Sequence, residues 1–230
     1  MRLSDSLYFY EGSGLDNPEY INSNTIIIDG PEKLIIDPGR RSSWPELAGK
    51  IEADGLNPAD LKMALFTHGH PDHMAAGQFL SRQYGTVLAL HRLDAEYARG
   101  EGRPYFGDGD FPAPEESFLY LEEGSFEFGG RTFKLILTPG HTPGSLCLHW
   151  PERKLLVTGD LYFPGTIGGF HFIGGQAADL FASIAKIQQT TDVDTVICGH
   201  CPIIEGKAEV QANYQLLNAE VAGKKSSGRY

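Results

Sequence analysis

Apolar and polar residues follow one another along the chain in blocks that predict strands and helices. Short apolar runs such as "NTIIIDG", "KLIIDPG" and "KMALFTHG" are typical of buried strands that end in Gly, Pro or Asp turns. Longer segments such as "SWPELAGKIEADG" and "QAADLFASIAKIQQ" place apolar residues at helical spacing, and Ser43 and Gly55 bound the first of them. This mixture of elements predicts a layered α/β fold.

Histidine and aspartate recur where the predicted strands end. The strings "LFTHGHPDH", "LILTPGHTPG", "LLVTGD" and "VICGH" each join an apolar run to a turn that carries one of these residues. In α/β folds, polar residues at strand ends gather along one edge of the sheet. The pattern therefore predicts a functional site at one edge.

The densest of these segments is "THGHPDHM", residues 67–74. Side chains alternate with period two in an extended turn, so His68 and His70 can point to the same side. Pro71 then favours the start of a helix that has Asp72 and His73 in its first turn. Histidine and aspartate are ligands of zinc-like divalent metals. The segment therefore indicates a site in which one metal takes the first pair and a second metal takes the other.

Three later strand ends offer further ligands. They are His141 in "LTPGHTPGS", Asp160 in "LLVTGDLYF" and His200 in "TVICGH". Any one of them alone is more typical of a hydrogen-bonded polar residue at a strand end. Together with the first segment they complete two sets of metal ligands.

The composition sets the class of protein and of partner. The 230 residues are 41% hydrophobic, which suits one domain, and we expect it to span 1–222 before a flexible polar tail, 223–230. A net charge of −11 argues against binding to nucleic acid or to an anionic membrane. Three cysteines form no disulfide framework, and the chain has no run of ~18 apolar residues, so we expect a cytoplasmic protein. A small-molecule substrate and, from the frequency of such assemblies, a homodimer are the expected partners.

The ordered series "THGHPDH", "GHTPGS", "TGD" and "CGH" resembles the metallo-β-lactamase superfamily almost from end to end. The resemblance implies an αββα sandwich, in which two mixed sheets are flanked by helices and a two-metal site lies at one edge. It implies the following ligands: His68, His70 and His141 for one metal, Asp72, His73 and His200 for the other, and Asp160 as the bridge. It also places Asp37 of "IIDPG" behind the ligands, where it would orient the histidines; a simple turn residue is the alternative.

This resemblance also implies a mechanism. Two divalent ions, zinc with iron or manganese as alternatives, lower the pKa of a water toward ~7 so that it attacks a carbonyl or phosphoryl centre. Asp72 is the candidate catalytic residue that orients the water and passes its proton to the leaving group.

Within the superfamily, "GHTPGSLCL" and "GDLYFPGTIGGF" are most similar to the glyoxalase II-like thioester hydrolases, although Gly169 stands where arginine is common. Larger glyoxalases carry a C-terminal region that binds glutathione, whereas this chain ends 30 residues after His200. We therefore expect another acyl thioester, an ester or a lactone as the substrate. Two alternatives stay open: a persulfide dioxygenase with one iron on His68, His141 and Asp160, and a non-catalytic metal-binding interaction module.

Substrate contacts are predicted in two loops. His171 lies in the Gly-rich "GGFHFIGG" that follows Asp160, a loop that the family brings near the metals. The segment 100–116 is rich in Gly, Pro and Asp, and its Tyr105, Phe106 and Phe111 are candidates for an apolar lid, with core packing as the alternative. His91 and His149 are expected to be structural or exposed.

The string "CGHC" resembles a redox motif, but it follows the last predicted strand instead of starting a helix. We therefore interpret Cys198 as a small buried hydrophobic residue. Cys201 stands where the family has a small residue, often glycine, and its distance from the metals is open.

Overall fold

The computed structural model describes residues 1–13, 21–107 and 118–228. Its strands are β1 (Arg2–Ser4), β2 (Leu7–Tyr10), β3 (Thr25–Ile28), β4 (Lys33–Ile36), β5 (Leu61–Leu65), β6 (Val87–His91), β7 (Phe118–Leu121), β8 (Gly124–Phe128), β9 (Arg131–Leu137), β10 (Leu146–Trp150), β11 (Leu155–Gly159), β12 (Tyr162–Phe163), β13 (Thr166–Ile167), β14 (Thr195–Cys198) and β15 (Ile204–Glu205). Its helices are α1 (Trp44–Ala53), α2 (Pro71–Met74), α3 (Gly77–Tyr84), α4 (Arg92–Arg99), α5 (Ala177–Ile187) and α6 (Lys207–Ser227). No helix of these segments has both the length and the apolar character needed to cross a bilayer.

The strands form two mixed sheets and a separate β12–β13 hairpin. The first sheet holds β1 to β7 in chain order, antiparallel from β1 to β4 and parallel from β4 to β7. The second has the order β15-β14-β11-β10-β9-β8, with β11 and β14 parallel and the other neighbours antiparallel. Parallel neighbours end at the same edge, which brings the turns after β4 and β5, and those after β11 and β14, together.

Period-two alternation in the strands builds a core on each face of each sheet. In β3, Ile26 and Ile28 pack between the two sheets with Trp150, whereas Ile27 packs on the opposite face against α1 and α3. The outer face of the second sheet packs against α5 and α6 through residues such as Leu180. The order of layers is therefore helix, sheet, sheet, helix, and the predicted αββα sandwich is confirmed.

The helix predicted to start at Pro71 is interrupted after its first turn. The short α2 ends at Met74, and Ala76 donates its N–H to the carbonyl of Gly39 at 2.8 Å. Helix α3 then begins at Gly77. The interruption separates the turn that carries Asp72 and His73 from the rest of the helix.

Residues 223–227, which we expected to form a flexible tail with 228–230, continue helix α6 instead. Lys224 forms an i,i+4 ion pair with Glu220 at 3.5 Å, a spacing that supports a helix. The helix ends where Gly228 takes a left-handed conformation, φ 61°. Helix α6 therefore extends through 223–227, and the domain boundary at residue 222 stays a prediction.

Candidate metal centre

Histidine and aspartate side chains from four strand ends meet at one edge of the sandwich. They follow β5, β9, β11 and β14, and they enclose three groups whose donor atoms lie within 4.8 Å of one another: His68, His70 and His141; His68, His73 and Asp160; Asp72, His73 and His200. All seven of the ligands expected from the sequence are thus brought together. All except His70 are buried, and that residue is partly buried.

The first group is made of imidazoles alone. Nδ1 of His70 lies 3.1 Å from Nε2 of His68 and 2.9 Å from Nε2 of His141. Each of these three nitrogens can bind a metal only if the proton of its ring lies on the other nitrogen.

The far side of two of these rings is occupied by acceptors. Nδ1 of His141 donates to the carbonyl of Gly169 at 2.8 Å. Nδ1 of His68 lies 3.1 Å from the hydroxyl of Thr67, which donates its own proton to Asp37 at 2.6 Å and so accepts from the ring. Both rings therefore keep the proton on Nδ1 and present an unprotonated Nε2 to the group.

His70 is held in the opposite tautomer. Its Nε2 lies 3.1 Å from the hydroxyl of Tyr97 on α4, and that hydroxyl donates to the carbonyl of Ile173 at 2.9 Å. The tyrosine therefore accepts from Nε2, which leaves Nδ1 of His70 unprotonated. Three lone pairs thus converge on one point, which is the arrangement that a divalent metal needs.

The second group combines carboxylate and imidazole. Oδ2 of Asp72 lies 3.2 Å from Nε2 of His200 and 3.8 Å from Nε2 of His73. Nδ1 of His73 faces Asp37 at 2.8 Å. Nε2 of His73 is fully buried, and no residue that the structure describes gives it a hydrogen bond. A buried nitrogen without a hydrogen-bond partner at this point is suited to bind a cation.

Asp160 lies between the two groups. Its Oδ2 is 3.6 Å from Nε2 of His141 and 3.5 Å from Nε2 of His200, and its Oδ1 is 3.4 Å from Nε2 of His73. Among the described residues Oδ1 is also buried without a hydrogen bond. Buried histidine and aspartate donors of this kind suit a divalent metal, and the residues present therefore fit one.

The imidazoles of the first group are neutral. Burial lowers the pKa of His68 well below its ordinary value and that of His70 to about 3, and it also lowers the pKa of His141. Neighbouring imidazoles add to these shifts. The first group can therefore accept a cation without first losing protons at neutral pH.

The second group carries charge. Burial opposes the charged form of His73, but the carboxylates of Asp160, Asp37 and Asp72 outweigh it and raise its pKa well above the ordinary value. Burial likewise opposes ionisation of Asp72, yet His73 and His200 hold its pKa at about 2. The pKa of Asp160 lies well below its usual range for a similar reason. In the metal-free chain, His73 is therefore a cation among ionised carboxylates.

Backbone geometry explains the residues around His200. A Cβ at Gly199 would overlap Oδ1 of Asp160 and approach the ring of His73, so only glycine fits there. Cys201 has φ 72°, a left-handed conformation that glycine adopts readily, which accounts for the glycine expected at this position. Cys201 lines the cleft described next but belongs to none of the three ligand groups. Cys198 is buried, as expected.

An open cleft of about 790 Å³ leads to the ligand cluster. Its lining is Ile21, Arg40, His70, Pro71, Asp72, Pro104, Tyr105, His141, Asp160, Phe163, Gly169, Phe172, His200 and Cys201. The centroid of the Phe172 ring lies 5.6 Å from that of His70 and 5.1 Å from that of His141. The Tyr105 ring is 5.7 Å from His70 by the same measure. Aromatic rings therefore cover the first ligand group.

The predicted substrate contacts need two corrections. His171 is exposed beside Phe170 and does not line the cleft, because its neighbour Phe172 is the residue that turns inward. Phe106 is buried in the core under the first sheet, so of the two adjacent aromatic residues only Tyr105 lines the cleft. Phe111 lies outside the described residues.

Other residues at the site were missed by the sequence reading. Asp94 on α4 is buried and accepts hydrogen bonds from Thr142 and from the N–H groups of Gly69 and Gly144, so it fixes both ligand-bearing turns. Burial outweighs these bonds and raises its pKa to about 6. Tyr97, one helical turn later, also faces the site. The sequence signal for a role of Asp94 and Tyr97 was their position on the same face of one helix.

The remaining histidines are structural, as expected. His91 is buried and accepts the N–H of Leu93 at 3.3 Å, which caps helix α4. His149 is buried in β10.

An αββα sandwich with a buried histidine and aspartate cluster at its edge is an architecture that can hold metal ions. The chain belongs to the metallo-beta-lactamase superfamily, whose family model matches residues 19–200. The family and the cluster together imply that the protein binds divalent metal.

Relatives and solved structures agree with this assignment. The hydroxyacylglutathione hydrolase GloC of Haemophilus influenzae is 33% identical over 78% of this chain and 84% of its own length. A metallo-beta-lactamase family protein of Thermus thermophilus, TTHA1429, superposes with a TM-score of 0.75 at 21% identity, over 98% of this chain and 81% of that one. TTHA1623, solved in a di-iron-bound form, is 29% identical, with a TM-score of 0.66 over 80% of this chain and 89% of its own.

Proposed function

We propose that this protein is a two-metal hydrolase, with zinc in both sites, that cleaves an acyl thioester. The observation that carries the proposal is the position of Asp160, whose carboxylate lies within 3.6 Å of histidines from both ligand groups. A carboxylate between two groups is what a pair of bridged cations requires. In this assignment the ligands are His68, His70 and His141 at site one, Asp72, His73 and His200 at site two, and Asp160 at both.

Cations bound at these sites would supply a water with a pKa near ~7 as the nucleophile. The chain itself provides the proton path. Asp72 lines the cleft, and its carboxylate is ionised because His73 and His200 lower its pKa. Its oxygens can therefore orient that water and take up its proton as the water attacks. The same carboxylate then delivers the proton to the leaving thiol. Asp37 orients His73 from behind and does not reach the cleft lining.

The thioester part of the proposal has separate support. GloC carries the name of a hydroxyacylglutathione hydrolase, which is a hydrolase of a thioester, and it matches most of this chain. The cleft volume of about 790 Å³ suits a small molecule. Tyr105 and Phe172 offer apolar surface to an acyl chain over site one. Three free cysteines are consistent with a reducing, cytoplasmic setting, which is part of the proposal.

Metal analysis combined with turnover tests the proposal. Purified protein should hold two zinc ions per chain and hydrolyse acyl thioesters, and His70→Ala should lose one ion together with activity. His149→Ala, at a buried histidine remote from the cleft, is the control for loss of an imidazole. One iron per chain, with oxygen uptake on glutathione persulfide and no thioester hydrolysis, would contradict the proposal.

That contrary result would favour the second candidate, a dioxygenase with one iron. Its three ligands, His68, His141 and Asp160, are present, and two histidines with one carboxylate form the usual site of non-haem iron oxygenases. The additional ligand group of Asp72, His73 and His200 weighs against it, because a single iron would leave that group unused. If the purified protein showed neither thioester hydrolysis nor oxygen uptake, the remaining candidate function would be the metal-binding interaction module.

A further inference from the structure

Arg40 is the only lysine or arginine among the described residues that line the cleft. Its position is fixed by the turn after β4. The N–H of Arg40 donates to Oδ1 of Asn22 at 2.7 Å, and the N–H of Gly39 donates to the carbonyl of His73 at 3.0 Å. Arg40 therefore stands beside the helix turn that carries Asp72 and His73, at the site-two end of the cleft.

The guanidinium of Arg40 is anchored on one side only. Its Nε donates to the carbonyl of Ile21 at 2.8 Å, which orients the planar group. Its two terminal nitrogens have no hydrogen-bond or ion-pair partner in the described parts of the chain. An arginine with a fixed plane and free terminal donors matches the two oxygens of a carboxylate or phosphate.

The two ends of the cleft therefore differ in chemistry. Over site one lie the rings of Tyr105 and Phe172. Beside site two lies the guanidinium of Arg40, which has no ion-pair partner among the described residues, in a chain of net charge −11. Divalent metals held by Asp72 and Asp160 would neutralise the negative charge of these carboxylates. Arg40 is then the group that attracts an anion of the substrate into the cleft.

We propose that Arg40 determines specificity by binding a carboxylate or phosphate carried on the leaving thiol of the substrate, while the aromatic end of the cleft holds an apolar acyl group. The leaving thiol is placed at this end because Asp72, which protonates it, belongs to the adjacent turn. This inference rests on the proposed thioester hydrolysis. It adds that the thiol half of the thioester carries the charge and that Arg40 binds this charge.

The test uses the metal-loaded enzyme and three thioesters with one apolar acyl group. Their thiols are 3-mercaptopropionate, its neutral amide, and 2-mercaptoethyl phosphate. The wild type should prefer the anionic substrates, and Arg40→Ala should lower their kcat/KM about 10- to 100-fold through KM, as expected for a lost charged hydrogen bond. Turnover of the neutral amide should change less than about twofold, because it has no charge to pair.

Arg41→Ala is the matched control. This neighbouring guanidinium packs 3.8 Å above the ring of Phe79 and faces a different cavity, so its loss should leave the anion preference unchanged. In the wild type, kcat/KM for the 2-mercaptoethyl phosphate thioester divided by kcat/KM for the 3-mercaptopropionate thioester then shows whether the site prefers a phosphate or a carboxylate. Equal losses on the anionic and the neutral thioesters in Arg40→Ala would indicate a structural role and would overturn the inference.

Calorimetry separates this inference from the proposed function. Its ligand is the thioether analogue of the 3-mercaptopropionate thioester, which cannot be cleaved. If the wild type hydrolyses no thioester but binds the thioether 10- to 100-fold more tightly than Arg40→Ala, as a charged contact requires, the hydrolase proposal fails and anion binding stands. If thioesters are hydrolysed but both proteins bind the thioether equally, the role of Arg40 is refuted and the hydrolase proposal stands.

Discussion

The two ligand groups of the centre use different chemistry to prepare for a cation. Site one consists of three neutral imidazoles, whose far nitrogens donate to Thr67, Tyr97 and the carbonyl of Gly169. Site two consists of ionised Asp72 with two histidines, one of which is backed by the carboxylate of Asp37. Neutral acceptors behind the first group and a carboxylate behind the second make metal binding at the two sites respond differently to pH.

The comparison shows how one chain can build two unequal sites from similar residues. Burial outweighs the nearby carboxylate of Asp160 and keeps the first imidazoles unprotonated, so their lone pairs are available at once. In the second group the carboxylates attract a metal more strongly, but they attract a proton to His73 as well.

Replacing the shared carboxylate should have the largest effect. In Asp160→Asn the side chain keeps its size but loses the charge that lies between His141 and His200. We expect the second metal to be lost and activity to fall by more than the about 100-fold typical of residues behind the ligands. Metal content by mass spectrometry and thioester turnover measure both effects, and two retained ions with near-normal turnover would refute the bridging role.

The residue behind His73 should have the next largest effect. Asp37 has φ 50°, and Asn tolerates this conformation, so Asp37→Asn removes the charge without new backbone strain. We expect affinity at site two to fall roughly 10- to 100-fold and affinity at site one to fall less, because Asp37 reaches His68 only through the hydroxyl of Thr67. Competition with a chelator measures the metal affinity of each site. Asp60→Asn, at an exposed aspartate, is the control. Equal weakening of both sites would mean that Asp37 supports the whole edge.

The pH dependence of metal binding should separate the two sites. Because the pKa of His73 is raised, its proton must leave before a cation binds, so affinity at site two should fall about tenfold for each pH unit below that pKa. The pKa of His70 is about 3, so affinity at site one should stay nearly constant between about pH 7 and 5. Titration of the metal-free protein at several pH values measures both slopes, and equal slopes would contradict the contrast.

Removing the hydroxyl behind His70 should give the smallest effect. Tyr97→Phe keeps the ring but removes the acceptor for Nε2, so the tautomer that exposes Nδ1 is no longer fixed. We expect about tenfold weaker binding at site one and no change in the pH slope of site two. Tyr84→Phe, in an aromatic cluster with Trp44 and Phe79, is the control for a lost tyrosine hydroxyl. Unchanged affinity in Tyr97→Phe would show that packing alone holds His70.

The sequence was sufficient for those parts of the site that depend on local order. His68, His70, Asp72 and His73 follow one another across a strand end and a helix start, and a short turn leaves their side chains few directions. The later ligands were recognisable because each follows an apolar run. The same runs predicted a layered α/β fold, and the resemblance of the motif series to the superfamily supplied the αββα sandwich.

Contacts between distant segments could not be predicted in this way. Tyr97 and Asp94 meet the ligand turns only after α4 packs on the first sheet, and nothing in "HRLDAEYARG" identifies their partners. The choice between His171 and Phe172 depends on the backbone angles of a glycine-rich loop, where neighbouring side chains point in different directions. The choice between Tyr105 and Phe106 has the same origin.

Anomalous scattering from crystals of the purified protein, recorded at the zinc and iron absorption edges, tests the central claim most directly. The account predicts two zinc peaks, one among His68, His70 and His141 and one among Asp72, His73 and His200, with Asp160 in contact with both. A single iron peak held by His68, His141 and Asp160, with the second group empty, would contradict it.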